Sequence, residues 1–447
     1  MKRPLVPVWA WCGVSIAALC GLGYWLFQSS VAEENALVEW ALRLPEERER
    51  ARIAGFSGDR RIAPNFDPAK DAGGDWVRIE AVMRADAPEG ELPYGDDLLR
   101  YANPPTRTKA KRSEVKRLLK KYRSFLADAE RASRKPLCHF PYHKGNSDLD
   151  GAEAAELLAM LHLASAVEER GRGRAQTAMG HAATALRIAH QLQAHNTIYP
   201  YTSGITVETI VLRFVCEGLT GRDAVTGTAW ERALTGHETE FLRPQRNEPL
   251  PAAQFRNLIH NDHLLMREII RGLRAEKYKP RQWLFMESAP VLRSINRLDF
   301  VLSLRTAADA LEASADWCYA GLAVRLRACE TETRPYVLWK AMEGWARHVA
   351  IVMRKSPRLV GPHKWEHIPW RRTVRDTDRA LAQAVWGQVS GKGAGRVPDD
   401  PFAAKPNVPL HRRDLPDGSM LWYSVGDNGT DDGGEESKDR VVKVWRK

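Results

Sequence analysis

From Asp150 to Ala194 the apolar residues return at helical spacing in two stretches, separated by a break at Gly171 to Gly173. Ala155, Leu158, Leu161, Leu163, Ala166 and Val167 mark the first stretch. Ala178, Ala182, Ala185, Leu186, Ile188, Ala189 and Leu192 mark the second. A 3.6-residue period gathers such residues on one face, and alanine there lets two backbones approach closely. This commits the chain to an antiparallel helical hairpin, whose apolar faces need further helices to cover them. Those are predicted at Ser113 to Ala132, Ile205 to Glu217, Ala252 to Glu276, Pro290 to Leu311, Ser314 to Cys329, Tyr336 to Lys355 and Arg372 to Val389.

The N-terminus breaks this pattern. Leu5 to Phe27 is a run of 23 residues without a charge. As a helix it measures about 34 Å, against roughly 30 Å of bilayer hydrocarbon. Trp9, Trp11, Tyr24 and Trp25 lie near its ends, Lys2 and Arg3 precede it, and Glu33 and Glu34 follow. The charge asymmetry predicts a single-pass inner-membrane anchor with the bulk of the chain extracytoplasmic. A cleavable signal peptide ending at Ser30-Val31-Ala32 is the alternative, but the run exceeds the usual length of a signal core. Bulky Leu19 argues against a lipoprotein at Cys20.

Composition narrows the rest. Lys plus Arg outnumber Asp plus Glu by 67 to 56, a formal net charge of +11, and 44% of residues are hydrophobic. This excludes a disordered chain, a collagen-like repeat and a polytopic membrane protein. Six cysteines in 447 residues, none in a CxxC pair, exclude a disulfide scaffold and a zinc ribbon and fit buried free thiols. Nine Lys and Arg fall between Arg107 and Arg123 beside one acid, Glu114, and an apolar stripe of Val115, Leu118, Leu119 and Tyr122. Such a helix suits anionic lipid, an acidic partner or a solvated face, and the extracytoplasmic placement speaks against nucleic acid. The 15 Trp suggest glycan stacking, but Trp317, Trp339 and Trp345 fall in predicted helices and read as core anchors.

The expected fold class is mainly α, with an N-terminal transmembrane helix, a helical bundle or helical-hairpin body and a small C-terminal β-hairpin or three-strand tail. Residues 1–4 form the cytoplasmic end and 5–27 the anchor. Residues 28–112 hold a stalk helix and Pro/Gly-rich loops, with one short strand at Trp76 to Val82. The body covers 113–389, a glycine-rich linker 390–399 and the β segment 400–447. In the last, Asp417-Gly418 marks a hairpin turn and Arg440 to Trp445 alternates like a third strand. No tetratricopeptide-like second copy of the hairpin occurs in register.

Asp400-Pro401-Phe402, Pro409-Leu410 and the run from Leu421-Trp422-Tyr423-Ser424-Val425-Gly426-Asp427 to Gly434 resemble the C-terminal segment of the major pseudopilins of type II secretion. The N-terminal span lacks the prepilin cleavage signature, so the resemblance implies a shared tail and not a pilin subunit. The chain as a whole looks like a family of uncharacterised bacterial proteins with one N-terminal span, on Cys138-His139-Phe140-Pro141, the Ala/Leu-rich hairpin and the Tyr-Ser-Val-Gly ending. That likeness implies an architecture and no activity.

In the pseudopilins the acidic loop holds calcium, and the resemblance implies the same cofactor here. Calcium takes about six to eight oxygens from carboxylates, carbonyls and water. Asp427, Asp431, Asp432 and Asp439 would supply carboxylates, and Ser424 with backbone carbonyls the neutral oxygens. A solvated acidic turn is the plainer account.

Two histidine patterns invite metal chemistry. His363-Lys364-Trp365-Glu366-His367 matches the inverted zinc-protease pattern, in which His363 and His367 would bind zinc and Glu366 would act as base. Pro362 and Pro369 flank it, which opposes the helix this chemistry needs. His260 and His263 lie three apart on a predicted helix, where a polar face explains them as well as a metal does. No nucleophile elbow, dinucleotide fingerprint or complete phosphate loop occurs. The expected function is a non-enzymatic, membrane-anchored scaffold or interaction protein with a protein partner in the cell envelope, near secretion assemblies. The alternative is an envelope metallohydrolase.

Overall fold

A computed structural model describes residues 69–87, 92–93, 95–140, 151–194, 198–220, 224–242, 367–391, 397–403, 405 and 407–445. All of them belong to one of the two compact units into which the chain divides. The predicted helices at Ala252 to Glu276, Pro290 to Leu311, Ser314 to Cys329 and Tyr336 to Lys355 lie outside the described residues, as do His260 and His263.

The centre is the hairpin of α5 (Ala152–Gly171) and α6 (Ala175–Ala194), each 20 residues long. Their facing alanines, among them Ala155, Ala159, Ala166, Ala178, Ala182 and Ala189, are fully or almost fully buried. The hairpin also buries a histidine pair. His162 Nε2 donates to the Leu126 carbonyl at 3.2 Å, which leaves its Nδ1 to accept from His181 Nδ1 at 3.0 Å. Burial, with His181 and Arg187 nearby, pushes the His162 imidazole down to about 3, so it is neutral.

Helix α7 (Ile198–Leu219) packs along α6, and α8 (Ala224–Thr235) follows before the short turn α9 (Glu238–Phe241). At Gly218 a Cβ would stand 2.0 Å from the Trp230 indole, so only glycine lets α8 come this close. On the other side of the hairpin lie α1 (Gly73–Ala85), α2 (Asp96–Ala102), a 3-10 turn (Pro104–Lys109), α3 (Arg112–Tyr122) and α4 (Phe125–Ser133). Fully buried Trp76 donates from Nε1 to Gln191 Oε1 at 3.0 Å, and Gln191 Nε2 donates to the Ala132 and Lys135 carbonyls. One amide thus ties α1, α4 and α6 together.

Two local expectations change. Trp76 to Val82, expected as a strand, lies inside α1, where Trp76, Ile79, Glu80 and Met83 are buried at helical spacing. The helix expected from Ser113 to Ala132 is two helices, α3 and α4, separated at Arg123 and Ser124. Val115, Leu118 and Tyr122 of α3 face the core, while Lys116, Arg117, Lys120 and Arg123 stay exposed.

After residue 366 the chain re-enters the description with α10 (His367–Val389), which packs on α7. Pro369 sits in its first turn, where no intrahelical partner is lost. The tail is a three-stranded antiparallel sheet in the order β1 (His411–Asp414), β2 (Ser419–Ser424), β3 (Arg440–Trp445). His411 pairs with Tyr423 and Ser424 with Arg440. Asp378 of α10 clamps this sheet to the body. Arg440 reaches both its oxygens, at 2.7 and 2.8 Å, and Arg213 of α7 donates to it at 2.9 Å.

Among the described residues no helix is long and apolar enough to cross a membrane. Even α7, with 22 residues, carries Glu208, Arg213 and Glu217. On that finding the expectation of a membrane-anchored fold is corrected. The correction extends to the single-pass inner-membrane placement, the anchored-scaffold function and the membrane as partner. Residues 5–27, on which that expectation rested, lie outside the described residues.

Candidate functional site

The tail builds its loop from a buried central strand. Met420 and Trp422 of β2 join the main core with Val444 of β3. The alternate residues Leu421 and Tyr423 face the other way, beneath the loop that runs from Gly426 to Asp439. A Cβ on Gly434 would meet Leu421 Cδ2 at 2.3 Å. Gly426 is required twice over. Its φ is +67°, and a Cβ there would lie 2.2 Å from the Lys438 carbonyl oxygen, where the loop returns.

The start of the tail is pinned by Asp400, which is only 5% exposed. Its Oδ1 accepts from Phe402 N (2.9 Å) and Ser424 Oγ (2.6 Å), and its Oδ2 accepts from Val425 N (2.9 Å). The Asp-Pro element that opens the tail is thereby a fastener, closing the segment onto the end of β2. Ser424, expected as a calcium ligand, is fully buried with its hydroxyl proton committed to Asp400.

The expected carboxylates sort into two groups. Asp427 is exposed at the first turn. The other three converge electrostatically on the returning end of the loop. Asp431 Oδ1 accepts from Gly433 N at 2.9 Å, and its other oxygen lies 3.2 Å from His411 Nδ1, whose ring stacks on Tyr423. Asp432 accepts from Asn428 Nδ2 at 2.7 Å and stands 3.6 Å from Lys438 Nζ. Asp439 is 5% exposed. Its Oδ2 accepts from Gly434 N at 2.8 Å, and its Oδ1 is buried without a hydrogen-bond partner. Burial raises the Asp439 carboxyl above the usual carboxylate range, and Asp432 and Asp431 add to the rise. The backbone amides of Gly434 and Glu435 offset it only in part.

Among the described residues no group of three or more His, Cys, Asp or Glu side chains is placed to hold a metal. His363 and Glu366 lie outside the described residues, and His367 is the first residue of α10. The metallohydrolase alternative is corrected on that finding, since zinc needs three protein ligands meeting at one point.

Two features escaped the sequence. Asp400 has no local signal, because its main partners sit 24 and 25 residues away. Glu208 is a charged residue on an otherwise apolar helix, and it proves to be fully buried against Arg375 and Arg379 of α10. A glutamate among Ile205, Val207, Ile210 and Val211 was the available clue. The chain matches no family model, no curated protein and no solved structure.

Proposed function

We propose that the loop between Gly426 and Asp439 is a calcium site, and that calcium sets the stability of the C-terminal sheet on the helical body. The observation that carries this is Asp439 Oδ1, a buried carboxylate oxygen with no partner, in a carboxyl raised by the fields of Asp432 and Asp431. Leaving such an oxygen unmatched costs about 1–3 kcal/mol, a penalty a cation removes. The donors near it are oxygens, which suits a hard cation. Calcium fills its shell largely with carbonyls and water, so two or three carboxylates suffice. Asp439 and Asp432 are the anchoring ligands, with Asp431 on the rim. The resemblance of the tail to the pseudopilin segment supports the same ion.

The test is thermal melting with saturating calcium and with chelator. At a hundredfold excess over Kd, binding to the native state alone adds about 2.7 kcal/mol and raises Tm by several degrees. Asp439→Asn should abolish that rise while leaving Tm in chelator equal or higher, because it removes a buried charge that repels its neighbours. Equal melting with and without calcium would overturn the proposal.

A further inference from the structure

The segment that leads into α1 meets the segment that leaves α4. Ala72 N donates to the Leu137 carbonyl at 2.9 Å, and Leu137 N donates to the Lys70 carbonyl at 3.1 Å. A Cβ on Gly73 would stand 2.0 Å from the His139 carbonyl oxygen, so glycine is what lets the two segments close. Their contact buries Asp71, whose side chain is 0% exposed. Its Oδ1 accepts from Gly73 N at 2.8 Å and from His139 N at 3.0 Å, and its Oδ2 holds His139 Nδ1. Burial by itself raises the Asp71 carboxyl. The Gly73 amide, with the ring and amide of His139, outweighs that and holds the group below the usual carboxylate range. Asp71 is therefore ionised at pH 7 and acts as an acceptor alone.

An acceptor at Nδ1 fixes the tautomer. Nδ1 carries the proton, and in the neutral ring Nε2 carries the lone pair. Nε2 is neither buried nor hydrogen-bonded among the described residues, and the His139 side chain is 33% exposed. The imidazole is clamped on one edge and open on the other. Two more half-buried histidines stand beside carboxylates, on looser terms. His237 lies 3.2 Å from Glu240 and His411 lies 3.2 Å from Asp431, and these acids are 25% and 45% exposed. Of the three acids Asp71 alone is shielded from water, so its charge acts on its ring with the least screening. Lys135, held by Asp75 at 2.6 Å, also donates to the Asp71 carbonyl at 3.2 Å, which sets a cation in the same corner.

We propose that His139 Nε2 is a phosphoryl-acceptor site, that Asp71 is its positioning residue, and that the donor is a small phosphoramidate. The Nε2 lone pair attacks phosphorus, so that a new N–P bond forms as the P–N bond of the donor breaks. The leaving nitrogen, protonated in the reactive donor, takes the electron pair and departs as the neutral amine. The ring becomes a cation with Nδ1–H still on Asp71, whose charge offsets it. This site is independent of the calcium loop.

The experiment treats the full chain with potassium phosphoramidate at pH 7 and follows His139, His237 and His411 by site-resolved mass spectrometry. His139 should be labelled about tenfold faster than either of the others. NMR of the labelled peptide should place the phosphoryl group on Nε2. Asp71→Asn keeps an acceptor for Gly73 and His139 but removes the charge. It should slow labelling of His139 about tenfold and leave His237 and His411 unchanged. If that variant does not fold, the wild-type rate ratio and the attachment atom decide. Equal rates at the three histidines, attachment at His139 Nδ1, or an undiminished rate in D71N would each overturn the proposal.

Discussion

Glu208 in the helical body and Asp439 in the tail are both buried carboxylates, yet they are buried on different terms. Glu208 is fully enclosed and meets Arg379, Arg375 and the Gln193 amide, all contributed by other helices. Asp439 meets the backbone of Gly434 and Glu435 and the fields of two more acids, and its Oδ1 is buried without a hydrogen-bond partner. The difference separates two uses of charge. In the body, opposite charges are supplied by the chain itself and hold α10 against α7. In the tail, like charges are gathered around Asp439, with Lys438 and His411 standing by Asp432 and Asp431 rather than by Asp439 itself. A buried acid is a structural fastener when its partners are arginines; among acids, as proposed for Asp439, it is a candidate ligand.

Removing Glu208 should have the largest effect. Glu208→Leu leaves Arg375 and Arg379 buried without their shared carboxylate, and breaking a buried pair this way costs about 3–5 kcal/mol. The urea midpoint should fall accordingly, and a change below 1 kcal/mol would erase the contrast with Asp439. Acid should then act on the two regions with opposite sign. His162 titrates near 6.5 when unfolded and at about 3 when folded, so the unfolded chain binds the proton first. The stability this group contributes is full above pH 6.5 and is lost as pH falls toward 3, at about 1.4 kcal/mol per unit. Asp439 is raised in the folded state, so its protonation favours the native tail as pH falls toward its unfolded value. Hydrogen exchange at pH 7 and pH 4.5 should show the α5–α6 hairpin losing about 3 kcal/mol of protection, while the amides of Gly434 and Arg440 lose less. Uniform loss in both would break the comparison. The smallest effect is expected at Asp400→Ala, which frees Ser424, Val425 and Phe402 at about 2 kcal/mol in total. Faster exchange should appear at the amides of residues 402 and 425, with the hairpin unchanged.

How much of this was readable from the sequence follows the range of each interaction. The hairpin was readable because α5 and α6 repeat their pattern within 20 residues each, and the tail strands because Asp417-Gly418 announces a turn. Trp76 to Val82 was misread because Trp, Val and Ile favour strands. The deciding signal was Met83, one turn further on from Ile79. In the candidate site the acids could be named individually, but the burial of Asp439 depends on Gly434 folding back over Leu421 and Tyr423. Ser424 looked like a neutral ligand for want of knowing that Asp400 takes its proton. The pairing of Arg375 and Arg379 with Glu208 was not legible at all, because Gln193 stands 182 residues before Arg375 and leaves no trace in local spacing.

The span between Arg213 and Asp378, 165 residues of chain, has a consequence in the order of synthesis. A ribosome delivers α5, α6 and α7 long before it makes α10, so Glu208 emerges well before Arg375 and Arg379. At roughly 5–20 residues per second the wait for Arg375 and Arg379 is on the order of ten to thirty seconds. The last eighty residues are therefore the closing clasp of a body begun near its other end, and a chain truncated before residue 375 carries buried Glu208 without Arg375 and Arg379.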